Sequence, residues 1–307
     1  MRRRWLLGIA LVPILIGVLH QQLGIINHKD TPSPPPPTAA PSCDRIVSLA
    51  PSMTESLFAV GLGDHVVGVT RYCAFPEVVA GIEKVGGYVD PNLSAIVALD
   101  PTLVVMLEEH VETREKLDAL GIRTLSVSQH GVDNILGTMD RLGELCRVTA
   151  QSHRVIADLR KRLARIKEAV RDRPQNTVMI SMGRNMGGGG LKDAFIAGEE
   201  SYYQDLIDMA GGRNVYKGRV PFPIVSREGI LGLNPDVIID MVPDMKAKGW
   251  TEEMVRREWQ ALPVSAVRHN RVHVFMAAHN VVPGPRFILT LEEMARAIHP
   301  EIEWNHL

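Results

Sequence analysis

The sequence predicts an α/β protein of two lobes, each with a parallel-type sheet flanked by helices, bridged by one long helix and preceded by an N-terminal hydrophobic segment and a Pro-rich linker. Short β-branched runs alternate with helical stretches, the pattern of parallel strands joined by helical crossovers. One stretch, Val132 to Arg171, has no proline and only two glycines, Gly137 and Gly143, and reads mostly as helix. Asn92–Val105 also matches Ser226–Ile239 at a fixed offset of 134, with Ile96/Ile230, Leu99/Leu233 and Pro101/Pro235 identical. A helix stopped by Asp-Pro or Asn-Pro and turned straight into a buried strand thus occurs twice.

The elements follow in order. Met1-Arg2-Arg3-Arg4 and the apolar run Trp5 to Leu19 have the layout of a secretory leader, and 15 residues are short for a membrane span. No small-x-small cleavage site follows, and counting on to Ile26 gives 22 residues, enough for an uncleaved anchor. Residues 1–26 are therefore read as a signal peptide or N-terminal membrane anchor, which places the rest in the periplasm or another extracytoplasmic space, with or without a tether to the cytoplasmic membrane. Residues 27–43 form a linker whose Pro34 to Pro37 favour an extended polyproline conformation. Cys43 stands far beyond the apolar run, so lipid attachment there is not expected.

Residues 44–146 are read as the N-terminal lobe, with strands at 45–50, 66–69, 103–106 and 123–127 and helices at 53–60, 92–99 and 114–120. Residues 147–173 are the bridging helix, ending before Pro174. Residues 174–307 are the C-terminal lobe, with strands at 178–181, 237–239 and 271–275 and helices at 202–210, 252–260 and 286–298.

Composition excludes several classes. Lys+Arg number 34 and Asp+Glu 35, so the net charge of −1 gives no reason to expect a polyanion and argues against nucleic acid. Three widely spaced cysteines, Cys43, Cys73 and Cys146, form no CxxC pair; at most one disulfide can form within the chain, and the sequence leaves the pairing open. Ligands held between lobes meet the loops just after the strands. Tyr72, Tyr88 and Phe222 sit at such turns in a chain with only 5% aromatic residues.

Arg45-Ile-Val-Ser-Leu-Ala-Pro-Ser-Met-Thr-Glu55, Gly61-Leu-Gly63, Val67–Pro76, Val85-Gly-Gly-Tyr88, Asn92-Leu93, Val225-Ser-Arg-Glu228 and Pro283-Gly-Pro-Arg286 together resemble the helical-backbone (class III) periplasmic substrate-binding proteins of ABC importers, particularly the cobalamin-binding branch. The resemblance spans about residues 44–301. It implies a monomeric receptor that captures cobalamin or a related corrinoid between its lobes and delivers it to an ABC importer permease, with only small lobe closure, no catalytic residues and no cofactor or metal of its own. It assigns ligand contact to Tyr72, Tyr88 and Phe222, with Phe195 after the glycine run as a fourth. Haem is the alternative ligand, with Tyr72 as axial ligand and Arg286 meeting a propionate; a ferric siderophore is a third. The resemblance also implies a docking glutamate at the exposed start of one helix in each lobe. Glu228 fits in the C-terminal lobe, whereas the matching residue 134 earlier is Ser94, leaving Asp90 or Glu83 as substitutes.

Other motifs are set aside. The run Gly183-Arg-Asn-Met-Gly-Gly-Gly-Gly-Leu-Lys192 lacks the Gly-Lys-Ser/Thr end of a phosphate loop and reads as a flexible loop near the cleft. Glu108-Glu109-His110 offers metal-ligand types, and a secreted metal-dependent hydrolase is the alternative of another class. With no second His motif in helical register, the run reads instead as the solvated start of a helix.

Overall fold

The computed structural model describes residues 42–184, 191–245 and 247–304. The leader, all but the end of the linker and most of the glycine run lie outside these residues.

The N-terminal lobe is built from β1 (Ile46–Ser48), α1 (Pro51–Ala59), β2 (Val66–Val69), β3 (Glu83–Lys84), α2 (Leu93–Ala98), β4 (Leu103–Leu107), α3 (Val111–Ala119) and β5 (Thr124–Val127). Its sheet has the order β3-β2-β1-β4-β5, every pair parallel. Both faces are covered, which is why β4 reads as an unbroken apolar run with all of its residues buried. Val47, Val104 and Met106 pack with Ile96 of α2 and Leu117 of α3. Ile46 and Val105 point the other way, into the cluster that holds Met53 and Leu57 of α1.

The stretch expected as mostly helix contains two, α4 (Val132–Leu145) and α5 (Thr149–Val170). They separate at Cys146-Arg147-Val148, where Arg147 takes φ 61°, a left-handed conformation that no helix continues through. The bridging helix is therefore α5. A disulfide joins Cys43 to Cys146 at this break, and Cys73 is a buried free thiol.

The C-terminal lobe follows with β6 (Thr177–Arg184), β7 (Asp193–Ile196), α6 (Tyr202–Met209), β8 (Arg213–Asn214), β9 (Ile224–Ser226), α7 (Arg227–Leu233), β10 (Val237–Met241), α8 (Glu252–Gln260), α9 (Ser265–Arg268), β11 (Val272–Phe275) and α10 (Phe287–Ile298). The sheet order is β11-β10-β6-β7-β9, with β8 beside β6. Strands β6, β8, β10 and β11 are parallel, as expected, but β7 runs antiparallel to both of its neighbours.

The internal match is structural. Asn92 and Ser226 each cap the helix that follows, accepting from the backbone N–H three residues on, Ala95 at 3.0 Å and Gly229 at 3.2 Å. Asp100 and Asn234 both take φ 45° and both precede a proline. The strands then start 134 residues apart and end 134 residues apart, Leu103–Leu107 and Val237–Met241.

One buried cluster runs through both lobes. It joins Ile46 and Val105 to Ile135, Met139 and Leu142 of α4, to Ile156, Leu159 and Ile166 of α5, and onward to Val178, Ile239, Phe287 and Leu291. Close-packed side chains of this kind resist shear, so the two sheets are held through a shared core and not only through a single helix.

Candidate functional site: the cleft between the sheets

The carboxyl ends of the N-terminal strands meet the segment after β11 at a cavity of about 230 Å³. Ala50, Pro51 and Ser52 follow β1, Leu107 ends β4, Gln129 follows β5, Tyr88 enters from the loop after β3, and Val281, Val282 and Pro283 close the other side. Its lining is predominantly apolar, as ligand sites generally are. A larger hollow of about 740 Å³ beside α4 and α5 is walled largely by Asp133, Asp140, His153, Arg160 and Lys161, with no Phe, Tyr or Trp. The smaller cavity is the candidate site.

Of the expected aromatics, Tyr88 lines the cavity, and Tyr72, Phe195 and Phe222 lie outside its lining. Phe195 and Phe222 meet with ring centroids 5.6 Å apart, and Phe222 touches Tyr203 edge-on at 6.5 Å. The Tyr203 hydroxyl donates to the Asn280 carbonyl at 2.8 Å, which ties this aromatic chain to the backbone just before Val281. The pairing has a cause in the sheet: Phe195 lies on β7 opposite Ile224 of β9, two residues after Phe222. No feature of the residue pattern signals this antiparallel pair. Tyr72 stands 58% exposed on the loop after β2, with the Arg71 guanidinium 5.6 Å from its ring centroid. Phe75, three residues on, is also exposed.

Arg286 is not free toward the cleft. Its Nε and Nη2 donate to the two Glu55 carboxylate oxygens at 2.9 and 2.5 Å, and its guanidinium lies 3.9 Å over the Phe75 ring. Glu55 is buried at the heart of α1, so the fork of Arg286 is matched to a carboxylate of the opposite lobe rather than presented to a ligand. Gly284 makes room for the contact, since a Cβ there would stand 3.3 Å from Glu55 Oε2 and from Ser52 Cα. A second polar link joins the lobes where the Asp205 carboxylate of α6 accepts the backbone N–H of Val132, the first residue of α4, at 2.9 Å. Sequence reading missed both links because their partners lie 231 and 73 residues apart.

Glu108 and Glu109 are exposed, but His110 is buried, so the run is not uniformly solvated as expected. Among the described residues no group of His, Cys, Asp and Glu is arranged to hold a metal ion. Glu228 is exposed in the first turn of α7, and Ser94 is exposed in the matching turn of α2. Of the two substitutes, Asp90 is paired with Arg71 at 2.6 Å, and Glu83 is exposed on β3.

Comparison with known proteins decides the family. The sequence pattern described as "Periplasmic binding protein" matches residues 46–277. The chain belongs to the periplasmic binding protein family. Its members are substrate-binding proteins of ABC transporters, not enzymes. The chain is 27% identical over 271 residues to an uncharacterized ABC transporter substrate-binding lipoprotein, YvrC, of Bacillus subtilis, covering 84% of this chain and 80% of that one. It is 28% identical over 204 residues to a vitamin B12-binding protein of Yersinia pestis, covering 65% and 70%. Among solved structures it is similar to the periplasmic vitamin B12 binding protein BtuF of Vibrio cholerae, with a TM-score of 0.70, 25% identity, and 84% and 97% of the two chains covered. The fold is shared with the periplasmic heme-binding protein RhuT of Roseiflexus, with a TM-score of 0.71, 22% identity, and 84% and 99% covered. No helix among the described residues is long and apolar enough to cross a membrane.

Proposed function

We propose that this periplasmic binding protein captures cobalamin or a related corrinoid in the cleft between its sheets and hands it to an ABC importer permease. The observation that carries the reading is the apolar cavity walled by Tyr88 and Val281–Pro283, with the Phe195–Phe222 pair tied to its edge. A flat, largely apolar macrocycle is suited to ring faces of this kind. Relatives named for vitamin B12 binding support the choice of ligand.

Haem is the second reading, favoured by the exposed phenol of Tyr72 beside Arg71 and by the fold shared with heme-binding proteins. The two readings separate in a calorimetric titration of the full chain with cyanocobalamin, cobinamide, haemin and a ferric hydroxamate. Micromolar or tighter binding of the corrinoids supports the proposal, and binding of haemin alone replaces it. Tyr72→Ala is expected to weaken the bound ligand by about 1–3 kcal/mol, the scale of an interface aromatic.

Glu228 is proposed to dock on the permease. Glu228→Arg should leave ligand affinity unchanged and abolish ligand-dependent ATPase stimulation of the reconstituted importer, whereas Ser94→Glu should strengthen the complex; normal stimulation by Glu228→Arg would remove Glu228 from the interface. For membrane attachment, the Cys43 thiol is engaged with Cys146, so residues 5–26 are the proposed anchor if the receptor is tethered.

A further inference from the structure

Glu109 and His110, at the end of β4, both act on one side chain of the cleft. His110 accepts the Leu107 backbone N–H at Nδ1, 3.2 Å away, so its ring proton sits on Nε2 and is donated to the Tyr88 carbonyl at 2.7 Å. The same imidazole meets the Tyr88 ring edge-on, with centroids 4.9 Å apart. Glu109 then accepts the Tyr88 hydroxyl at 2.7 Å. Carbonyl, ring and hydroxyl of the cavity tyrosine are thus all held by two consecutive residues of another loop. Burial, and after it the hydrogen bond to Glu109, push the ionisation of the Tyr88 phenol well above its ordinary range.

We propose that Glu109 and His110 are positioning residues that fix Tyr88 as a neutral aromatic wall whose hydroxyl is spent within the protein. Tyr88 then meets the ligand through its ring and supplies neither a phenolate to a metal nor a hydrogen-bond donor. The inference rests on the cleft reading of Tyr88 given above, and it deepens that reading by naming the class of ligand favoured at this wall: a chelate whose metal needs nothing from Tyr88.

The test uses the full chain labelled with 3-fluorotyrosine, whose five tyrosines give a simple fluorine spectrum, with Tyr88 assigned by Tyr88→Phe. Glu109 is exposed, so its replacement spares the core. Glu109→Ala is expected to shift and sharpen the Tyr88 resonance and to leave the others in place. Glu109→Gln, which keeps an acceptor oxygen, is expected to restore it. His110→Leu should also shift the resonance, and His110→Gln, which offers one donor and one acceptor, should shift it less. A Tyr88 resonance unmoved by Glu109→Ala overturns the proposal. Affinity for cyanocobalamin and haemin is measured on the same variants: Glu109→Ala should weaken the probe that the unaltered chain binds by about 5–20-fold, and adding Tyr88→Phe should cost nothing more. A shifted resonance with unchanged affinity retains the positioning and removes Tyr88 from the ligand site. If the unaltered chain binds neither probe, the corrinoid and haem readings fall, and the resonance alone decides the positioning.

Discussion

In the N-terminal lobe the chain leaves α2 through Asp100 and Pro101 into β4; in the C-terminal lobe it leaves α7 through Asn234 and Pro235 into β10, with the same φ and the same spacing. Around this shared unit the lobes diverge. The N-terminal sheet is wholly parallel and is stapled by Cys43–Cys146, whereas the C-terminal sheet adds antiparallel β7 and carries a buried ion pair, Arg184 with Asp240, against the Trp259 indole. The difference bears on the proposed function: under that reading, specificity resides in the unrepeated pieces, the Tyr88 loop that lines the cavity and the Phe195–Phe222 pair linked to it through Tyr203.

If the lobes are stabilised by different devices, each can be broken alone. The disulfide links residues 103 apart, and loop-closure entropy assigns such a bridge about 4–5 kcal/mol. Cys43→Ser with Cys146→Ser should lower the urea midpoint and speed amide exchange first in the sheet of β1, β4 and β5. An unchanged midpoint would mean that the N-terminal lobe does not depend on its staple.

The C-terminal counterpart is Arg184→Ala. Burial pushes the Asp240 carboxyl up, against the pull of Arg184 and the Trp259 N–H, and removing the arginine strands that group in the core. A loss of about 3–5 kcal/mol is expected, with exchange accelerated first at β6 and β10. Asp240→Asn, which keeps an acceptor for Trp259, should cost less.

Acid should separate the lobes further. Burial, with help from Arg256 and Arg271, lowers the His273 pKa to about 4, and its Nε2 has no hydrogen-bond partner among the described residues. The unfolded chain therefore binds this proton at a higher pH than the folded one, so stability is retained above about pH 6.5 and falls as pH drops toward 4. Because the ring is partly exposed, the full shift is discounted to about 1–2 kcal/mol. His273→Gln should flatten this part of the stability profile, which urea titrations between pH 7 and 4 would read; an unaltered slope would assign the acid sensitivity elsewhere.

Single substitutions test the repeat itself. Asp100→Val and Asn234→Val each place a β-branched residue at φ 45°, at about 1–2 kcal/mol. The Asn234 change should cost about 1 kcal/mol more, because its Oδ1 also accepts the Ser265 N–H at 2.8 Å. Asp100→Gly should be neutral or slightly stabilising in thermal melts.

What could be read from the residues follows the same division. The repeated unit was legible because caps, prolines and apolar runs act over a few residues, and Val66–Val69 and Glu252–Gln260 were placed to the residue for that reason. The antiparallel β7 was not, since its four residues show no long alternation and its partners are set by the tertiary fold. The bridging helix is read as starting at Arg147, but the left-handed turn there has no cue, because a basic residue on a charged helix carries no stop signal. At the candidate site, aromatic placement points to Tyr72, Tyr88 and Phe222 at turns and to Phe195 after the glycine run, whereas the engagement of Arg286 by Glu55 depends on a contact that sequence spacing does not reveal.

Amide exchange of the full chain, with and without saturating cyanocobalamin, tests most directly whether ligand is held between the two sheets on a rigid frame. The expected result is protection on both sides of the cleft, in residues 86–90 and 281–283 around the cavity and in 195–196 and 222–224 at its aromatic edge, with α4 and α5 unchanged. Protection confined to the hollow beside α4 and α5, or no protection at all, would contradict it.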